Sequence, residues 1–213
     1  MTVKLADNAM TTLEAVFEML GININTASDT ARNNITRLIN AASSWIENMS
    51  GRKFGRQDYT EYHKGTGSQE LVVNQWPIRS VKQIKSTADG AVIPHNEYDI
   101  TMTGYIGVIY KDNGWACKGY IGGLADDYIA ENRYLEVMYT AGYILPKDET
   151  EDEPSDLPAD IQNVIWGIVQ QEFSIMRNGA QGLSAYSMSD ISWTFDKEPR
   201  QSWLQTVNRY VRW

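Results

Sequence analysis

The sequence predicts an α+β fold: a core of three to four helices carrying an inserted antiparallel β-region. Two observations predict it. Apolar residues recur at helical spacing near both ends of the chain, from Leu13 to Met49 and from Ile161 to Val211. Between them, from Phe54 to Tyr143, the period shortens to runs rich in β-branched and aromatic residues, broken by Gly, Asn-Gly and Asp-Gly pairs. Residues 1–54 and 155–213 are therefore expected to form the helical core, 55–145 the β-rich insertion and 146–156 an acidic loop.

The first helix is expected to open on a capping box at Thr11-Thr12-Leu13-Glu14, with Thr11 capping and Glu14 reaching back. Leu13, Val16, Phe17 and Leu20 follow, and Gly21 stops it. Ile22 to Ala27 is a linker. Ser28 or Asp29 then starts a longer helix with Ile35, Leu38, Ile39, Ala42, Trp45, Ile46 and Met49 on one face. Gly51 stands where a left-handed terminal residue is wanted, and Arg52 and Lys53 complement the carboxyl end.

Strands are expected at Tyr59 to Tyr62, Glu70 to Val73, Ile78 to Ser86, Tyr98 to Ile100, Tyr105 to Tyr110 and Tyr134 to Tyr139. Trp76-Pro77 belongs at a turn or an edge, because proline cannot donate to a ladder. Gly-Tyr-Ile-Gly occurs at 104–107 and 119–122 and reads as sheet residues flanked by turn glycines, not as a repeat architecture. Pro158 suits a first helical turn, with Asp160 at its positive end. Ile161, Val164, Ile165, Ile168, Val169, Phe173 and Met176 continue that helix until Asn178 and Gly179. A short strand at Ile191 to Phe195 follows, and Pro199 opens a last helix with Trp203, Leu204, Val207, Tyr210 and Val211 on one side.

At 213 residues the chain is long enough to bury roughly 70% of its unfolded surface, without disulfides or metals. Cys117 is its only cysteine, so it holds no internal disulfide. No basic-then-apolar leader and no apolar run of membrane-spanning length is visible, so neither secretion nor a membrane partner is expected. The net charge of −8 excludes a basic nucleic-acid footprint. Residues 147–156 account for −5 of it; they lack the ligand alternation and glycine of a calcium loop and read as a solvated, mobile loop. Seven Trp and twelve Tyr are a rich supply of interface anchors, although such residues also build cores.

Catalytic chemistry finds no footing. His63, in Tyr62-His63-Lys64, reads as an exposed strand position, and His95 follows Pro94 in a turn. Neither has a nucleophile on a sharp turn nearby. One cysteine and two separated histidines make no metal set, and no cofactor is expected. Gly65-Thr66-Gly67-Ser68 lacks the ending of a phosphate loop and reads as a hairpin turn. Asp126 and Asp127 are adjacent and would point apart in a strand. The chain is not expected to be an enzyme.

The ordered set of helix stops and starts resembles the head–tail connector proteins of tailed bacteriophages. The residues that carry the resemblance are Ile46-Glu47-Asn48-Met49-Ser50-Gly51-Arg52-Lys53-Phe54 and Trp76-Pro77-Ile78-Arg79-Ser80-Val81. Further on come Val137-Met138-Tyr139-Thr140-Ala141-Gly142-Tyr143, Leu157-Pro158-Ala159-Asp160-Ile161-Gln162, and the turn from Gln171-Glu172-Phe173 to Arg177. The resemblance covers about residues 30 to 180. It implies a structural virion protein: a homo-oligomeric, usually dodecameric adaptor ring beneath the portal protein, assembled in the bacterial cytoplasm. Such a ring extends the DNA channel and docks a neck stopper or tail-completion protein.

Duplex DNA carries one charge per roughly 1.7 Å, so an acidic or neutral wall lets it pass without specific binding. The family's carboxyl-terminal segments tend to engage the portal. Here that segment has no acidic residue from Pro199 onward, and Arg200, Trp203, Leu204, Val207, Arg209, Tyr210, Arg212 and Trp213 are the expected portal contacts. The alternative readings are a neck stopper or tail-completion protein, and a ligand- or carbohydrate-binding module with Tyr105, Tyr110, Trp115 and Tyr120 as a stacking platform.

Overall fold

A computed structural model describes residues 2–65, 67–87, 90–115, 134–177, 185–188, 191–194 and 201–211. The chain divides into two compact units, Met1–Gly55 with Ile144–Trp213, and Arg56–Tyr143.

In the first unit, helix α1 (Leu13–Met19) is capped by Thr12, whose hydroxyl accepts the Ala15 N–H at 3.1 Å. The cap is thus one residue later than the capping-box spacing suggests. Thr11 is fully buried and accepts instead from the Trp166 indole N–H at 3.0 Å, so a tertiary partner takes the hydroxyl that local spacing assigned to the cap. Helix α2 (Asp29–Ser50) is capped by Ser28 and closed by Gly51 at φ 68°, whose N–H reaches the Glu47 carbonyl at 2.9 Å.

The apolar stripe of α2 supplies only half of its buried residues. Ile35, Ile39, Ala42 and Ile46 are buried as expected, but so are Thr36, Ser43, Glu47 and Ser50, while Met49 is exposed. Ser43 and Glu47 meet residues 3–10, whose main chain is held by α2 side chains. Asn33 Oδ1 accepts Val3 N–H at 2.8 Å, Asn40 Oδ1 accepts Ala6 N–H at 2.8 Å, and Ser43 Oγ accepts Met10 N–H at 3.1 Å.

Helix α3 (Ala159–Arg177) begins after Pro158, whose carbonyl accepts from Ile161 and Gln162. It buries Ile161, Val164, Ile165 and Val169 against the other helices. The acidic loop before it is exposed yet tied at its base: Asp156 accepts the Ile144 N–H at 2.7 Å, and the Ser155 hydroxyl donates to the Ile144 carbonyl at 2.8 Å. A hairpin of β6 (Ala185–Met188) and β7 (Ile191–Thr194) and the final helix α4 (Gln201–Asn208) complete the unit. Asn178, Gly179, Phe195 and Pro199 lie outside the described residues.

The second unit is built on a three-stranded antiparallel sheet with β5 (Tyr134–Ala141) between β1 (Gln57–Lys64) and β3 (Ile78–Ser86). Tyr59 faces Tyr139 across β1 and β5, and two register shifts kink the first half of β3. Trp76-Pro77 is a cis peptide immediately before this edge strand. A second, two-stranded sheet pairs β2 (Glu70–Val72) with β4 (Val108–Tyr110). Leu71, Ile84, Ile109, Trp115, Val137 and Tyr139 fill the core of the unit.

Three expectations change here. β1 and β2 belong to different sheets, so these two strands do not pair as a hairpin. Tyr98 to Ile100 is no strand; only a single bridge joins Asp99 to Tyr110. The stretch from Tyr105 is strand only from Val108, because Gly104–Ile106 forms a 3₁₀ turn. Gly104 is packed so closely that a Cβ would sit 3.2 Å from Ile100 Cβ, and Gly107 takes the left-handed conformation at φ 79°. The second Gly-Tyr-Ile-Gly, at 119–122, lies outside the described residues, as do Cys117, Asp126 and Asp127.

Candidate interaction surfaces

The carboxyl-terminal segment carries the expected portal contacts, and the structure divides those it describes. Val207 is fully buried, Trp203, Leu204 and Tyr210 are half-buried, and Arg209 is exposed. Arg200, Arg212 and Trp213 lie outside the described residues. Trp203 lies directly on Gly167 in the middle of α3, where a Cβ would be 2.8 Å from its Cζ2 atom. Glycine in a helix interior is unfavourable by about 1 kcal/mol relative to alanine, and here it makes room for an indole. The Tyr210 hydroxyl donates to Asp160 Oδ1 at 2.8 Å, and its ring stands 5.9 Å from that of Phe54. Trp203, Val207 and Tyr210 thus fasten α4 to its own unit, and Arg209, just past its end, is exposed.

The signature at the end of α2 converges on one buried carboxylate. Glu47, 5% exposed, accepts from Asn8 Nδ2 at 2.9 Å, Lys53 Nζ at 2.7 Å and the Phe54 N–H at 3.3 Å. The Arg52 side chain is buried as well, its guanidinium 4.9 Å from the centre of the Phe54 ring. Arg52 and Lys53 therefore do more than complement a helix terminus. They and Glu47 hold the chain as it leaves α2. The sequence carried a signal for this: Asn33, Asn40, Ser43 and Glu47 repeat at helical spacing beside the apolar stripe.

In the second unit an equivalent node forms around Glu61. Tyr139 Oη donates to its Oε1 at 2.6 Å; His63 Nε2, Asn74 N and Asn74 Nδ2 reach its Oε2 at 2.8, 3.0 and 2.9 Å. The Gln75 N–H donates to Tyr139 Oη at 3.2 Å. Burial alone would raise the Glu61 pKa, but these hydrogen bonds, led by His63 and Tyr139, hold it below the usual carboxylate range. Burial and the neighbouring carboxylate push the Tyr139 hydroxyl far up. His63 is accordingly a half-buried structural donor and not an exposed strand residue. His95 Nδ1 lies 2.6 Å from the Tyr98 hydroxyl in an exposed turn.

The suggested stacking platform is not assembled among the described residues. Trp115 is buried, and its indole N–H is shared between the Gln69 and Ile109 carbonyls, each at 3.2 Å. Tyr110 is half-buried, and Tyr120 lies outside the described residues. Tyr105 is 68% exposed, together with Met102 at 77% and Ile106 at 48%. Among the described residues no group of three His, Cys, Asp or Glu could hold a metal ion, and no helix is long and apolar enough to cross a membrane.

Comparison with known proteins places this architecture. The family model described as "Head completion protein" matches residues 9–162. Among solved structures, the chain is similar to a chain in the neck of an empty gene transfer agent particle computed with C6 symmetry. The two are 12% identical with a TM-score of 0.50, over 100% of this chain and 95% of that one. It is similar also to a chain of the virion of a native gene transfer agent particle, at 11% identity and TM-score 0.51 over 100% and 95%. A chain in the neck of the native particle computed with C12 symmetry gives 10% and 0.50 over 100% and 94%. At such identities the likeness concerns the α+β fold. No curated protein matches the chain.

Proposed function

Because the chain belongs to the head completion protein family, we propose that this structural neck component works as an adaptor: its copies form a ring, dodecameric in the particle, between portal and neck, and lengthen the DNA channel. The single observation that carries the reading is the family match, which spans both units of the chain. The symmetric necks that hold similarly folded chains support the ring. The net charge of −8 suits a wall that DNA slides past.

The carboxyl-terminal segment is the portal contact in this reading. Arg209, exposed just past the end of α4, meets the portal, and Arg200, Arg212 and Trp213 are the further contacts of the same segment. Trp203, Val207 and Tyr210 fasten the segment to its own unit, and Leu204 is half-buried.

Reversing the three arginines (R200E/R209E/R212E) tests this more cleanly than deleting residues 199–213, which would also strip Val207 from the core. The variant is expected to keep its unfolding temperature and to lose at least ten-fold in joining portal-bearing capsids, measured by co-sedimentation. Undiminished joining refutes the portal contact.

A further inference from the structure

Two of the sequence motifs meet at the carboxyl-terminal segment. Asp160, from Leu157-Pro158-Ala159-Asp160-Ile161, accepts the Tyr210 hydroxyl on its Oδ1 at 2.8 Å. Phe54, from Ser50-Gly51-Arg52-Lys53-Phe54, has its ring 5.9 Å from that of Tyr210. Both receiving groups are fixed by their own surroundings. The same Asp160 oxygen accepts the Ile161 N–H at 2.9 Å, at the start of α3. Phe54 is fully buried, with its N–H on Glu47 at 3.3 Å and the Arg52 guanidinium 4.9 Å from its ring centre. The end of α2 and the start of α3 thus build a socket for one phenol.

The segment depends on such a socket. α4 spans only eight residues, held by Trp203 on Gly167 and by the buried Val207. Past Asn208 the backbone continues in a tightened turn: Arg209 N–H donates to Thr206 O at 3.1 Å, Tyr210 N–H to Val207 O at 2.9 Å and Val211 N–H to Asn208 O at 3.5 Å. So short a helix end frays unless a tertiary contact holds it. In such a turn, successive side chains leave the axis about 100–120° apart. With Tyr210 drawn into the socket, the preceding side chain is turned away from the unit, and Arg209 is exposed. Where the phenol is seated therefore sets where the arginine points.

We propose that the Tyr210 hydroxyl on Asp160 is a latch that positions Arg209 for the portal. Tyr210 is a positioning residue that acts through the arginine. The assignment rests on the portal contact read above and adds what aims its arginine.

The test compares Tyr210→Phe, Arg209→Ala and the double variant, each in the full chain, for joining portal-bearing capsids by co-sedimentation. Tyr210→Phe keeps the ring beside Phe54 and removes only the hydroxyl. It is expected to unfold within about 4 °C of the unaltered chain, to join about three-fold less well, and to exchange its position-210 and Val211 amides about ten-fold faster. Arg209→Ala is expected to lose as much joining, and the double variant no more than Arg209→Ala alone, because a latch has nothing to aim once the arginine is gone. Independent contributions would multiply to about nine-fold. That result, undiminished joining by Tyr210→Phe, unchanged exchange, or a larger fall in unfolding temperature overturns the latch and leaves the portal contact standing. Undiminished joining by Arg209→Ala refutes the Arg209 contact itself, and the assignment falls with it.

Discussion

Glu47 in the helical unit and Glu61 in the β unit are both largely buried carboxylates surrounded by donors, and the partners they gather differ. Glu47 takes Lys53 and Phe54, six and seven residues further on, and adds Asn8 from the amino-terminal arm. It closes a helix end, with a half-exposed lysine as an ion-pair partner. Glu61 takes His63 from two residues away, and adds Tyr139 from 78 away and Asn74 from 13 away through hydroxyl and amide donors. It closes a corner between sheets. An exposed lysine contributes little, so Glu47 acts chiefly through the donors that would otherwise be buried unpaired. Glu61 acts by joining strands distant in sequence. Both nodes stabilise the fold.

Three substitutions would break or sharpen this contrast. Glu47→Ala is expected to have the largest effect, a loss of about 3 kcal/mol, because it strands the buried Phe54 N–H and takes the main acceptor from the half-buried Asn8 amide. Hydrogen exchange should show the lost protection in residues 3–10 and at the end of α2, with residues 74–77 unchanged. Spread of the effect to the β unit would sink the idea of separate nodes.

Glu61→Gln comes next, at about 2 kcal/mol near neutral pH, since an amide nitrogen then faces donors instead of accepting from them. It should also change the acid limb. The folded Glu61 pKa lies below the unfolded value of 4.5, so its contribution is complete above that value and is lost as pH falls through the folded one. The variant should therefore show a shallower fall in stability below about pH 4.5. Asp58, held down by Lys82 and Thr140, still contributes to the slope in both proteins. An unchanged acid limb in urea titrations would contradict the role given to Glu61.

The smallest effect is expected from Tyr139→Phe, about 1 kcal/mol, which keeps the ring against Tyr59 and removes one hydroxyl from the node. Exchange should quicken at Gln75 while α2 stays protected; faster exchange in α2 would argue against the contrast.

Much of the helical unit was legible in the sequence. Ser28, Gly51 and Pro158 mark helix ends through local geometry that needs no distant partner, and α2 and α3 run where the 3.6-residue period places them. The expected strand from Ile78 to Ser86 matches β3 to the residue. The candidate surfaces were less legible. Tyr105 looked like a strand residue because aromatics favour strands, until Gly104 and Gly107 turned the backbone. Trp203 looked like an outward anchor, and only the absence of a side chain at Gly167 shows why it turns inward.

By itself, the sequence determined what short-range chemistry can determine: where helices start and stop, that the middle of the chain is β, and the order of motifs that carries the family. Only the tertiary structure decided which polar groups are buried, that β1 and β2 part into different sheets, and which aromatic side chains face outward. Those outcomes depend on partners many residues away, Thr11 with Trp166 and Glu61 with Tyr139 among them. A pattern read along the chain contains no term for such partners, because burial is a property of the packed whole.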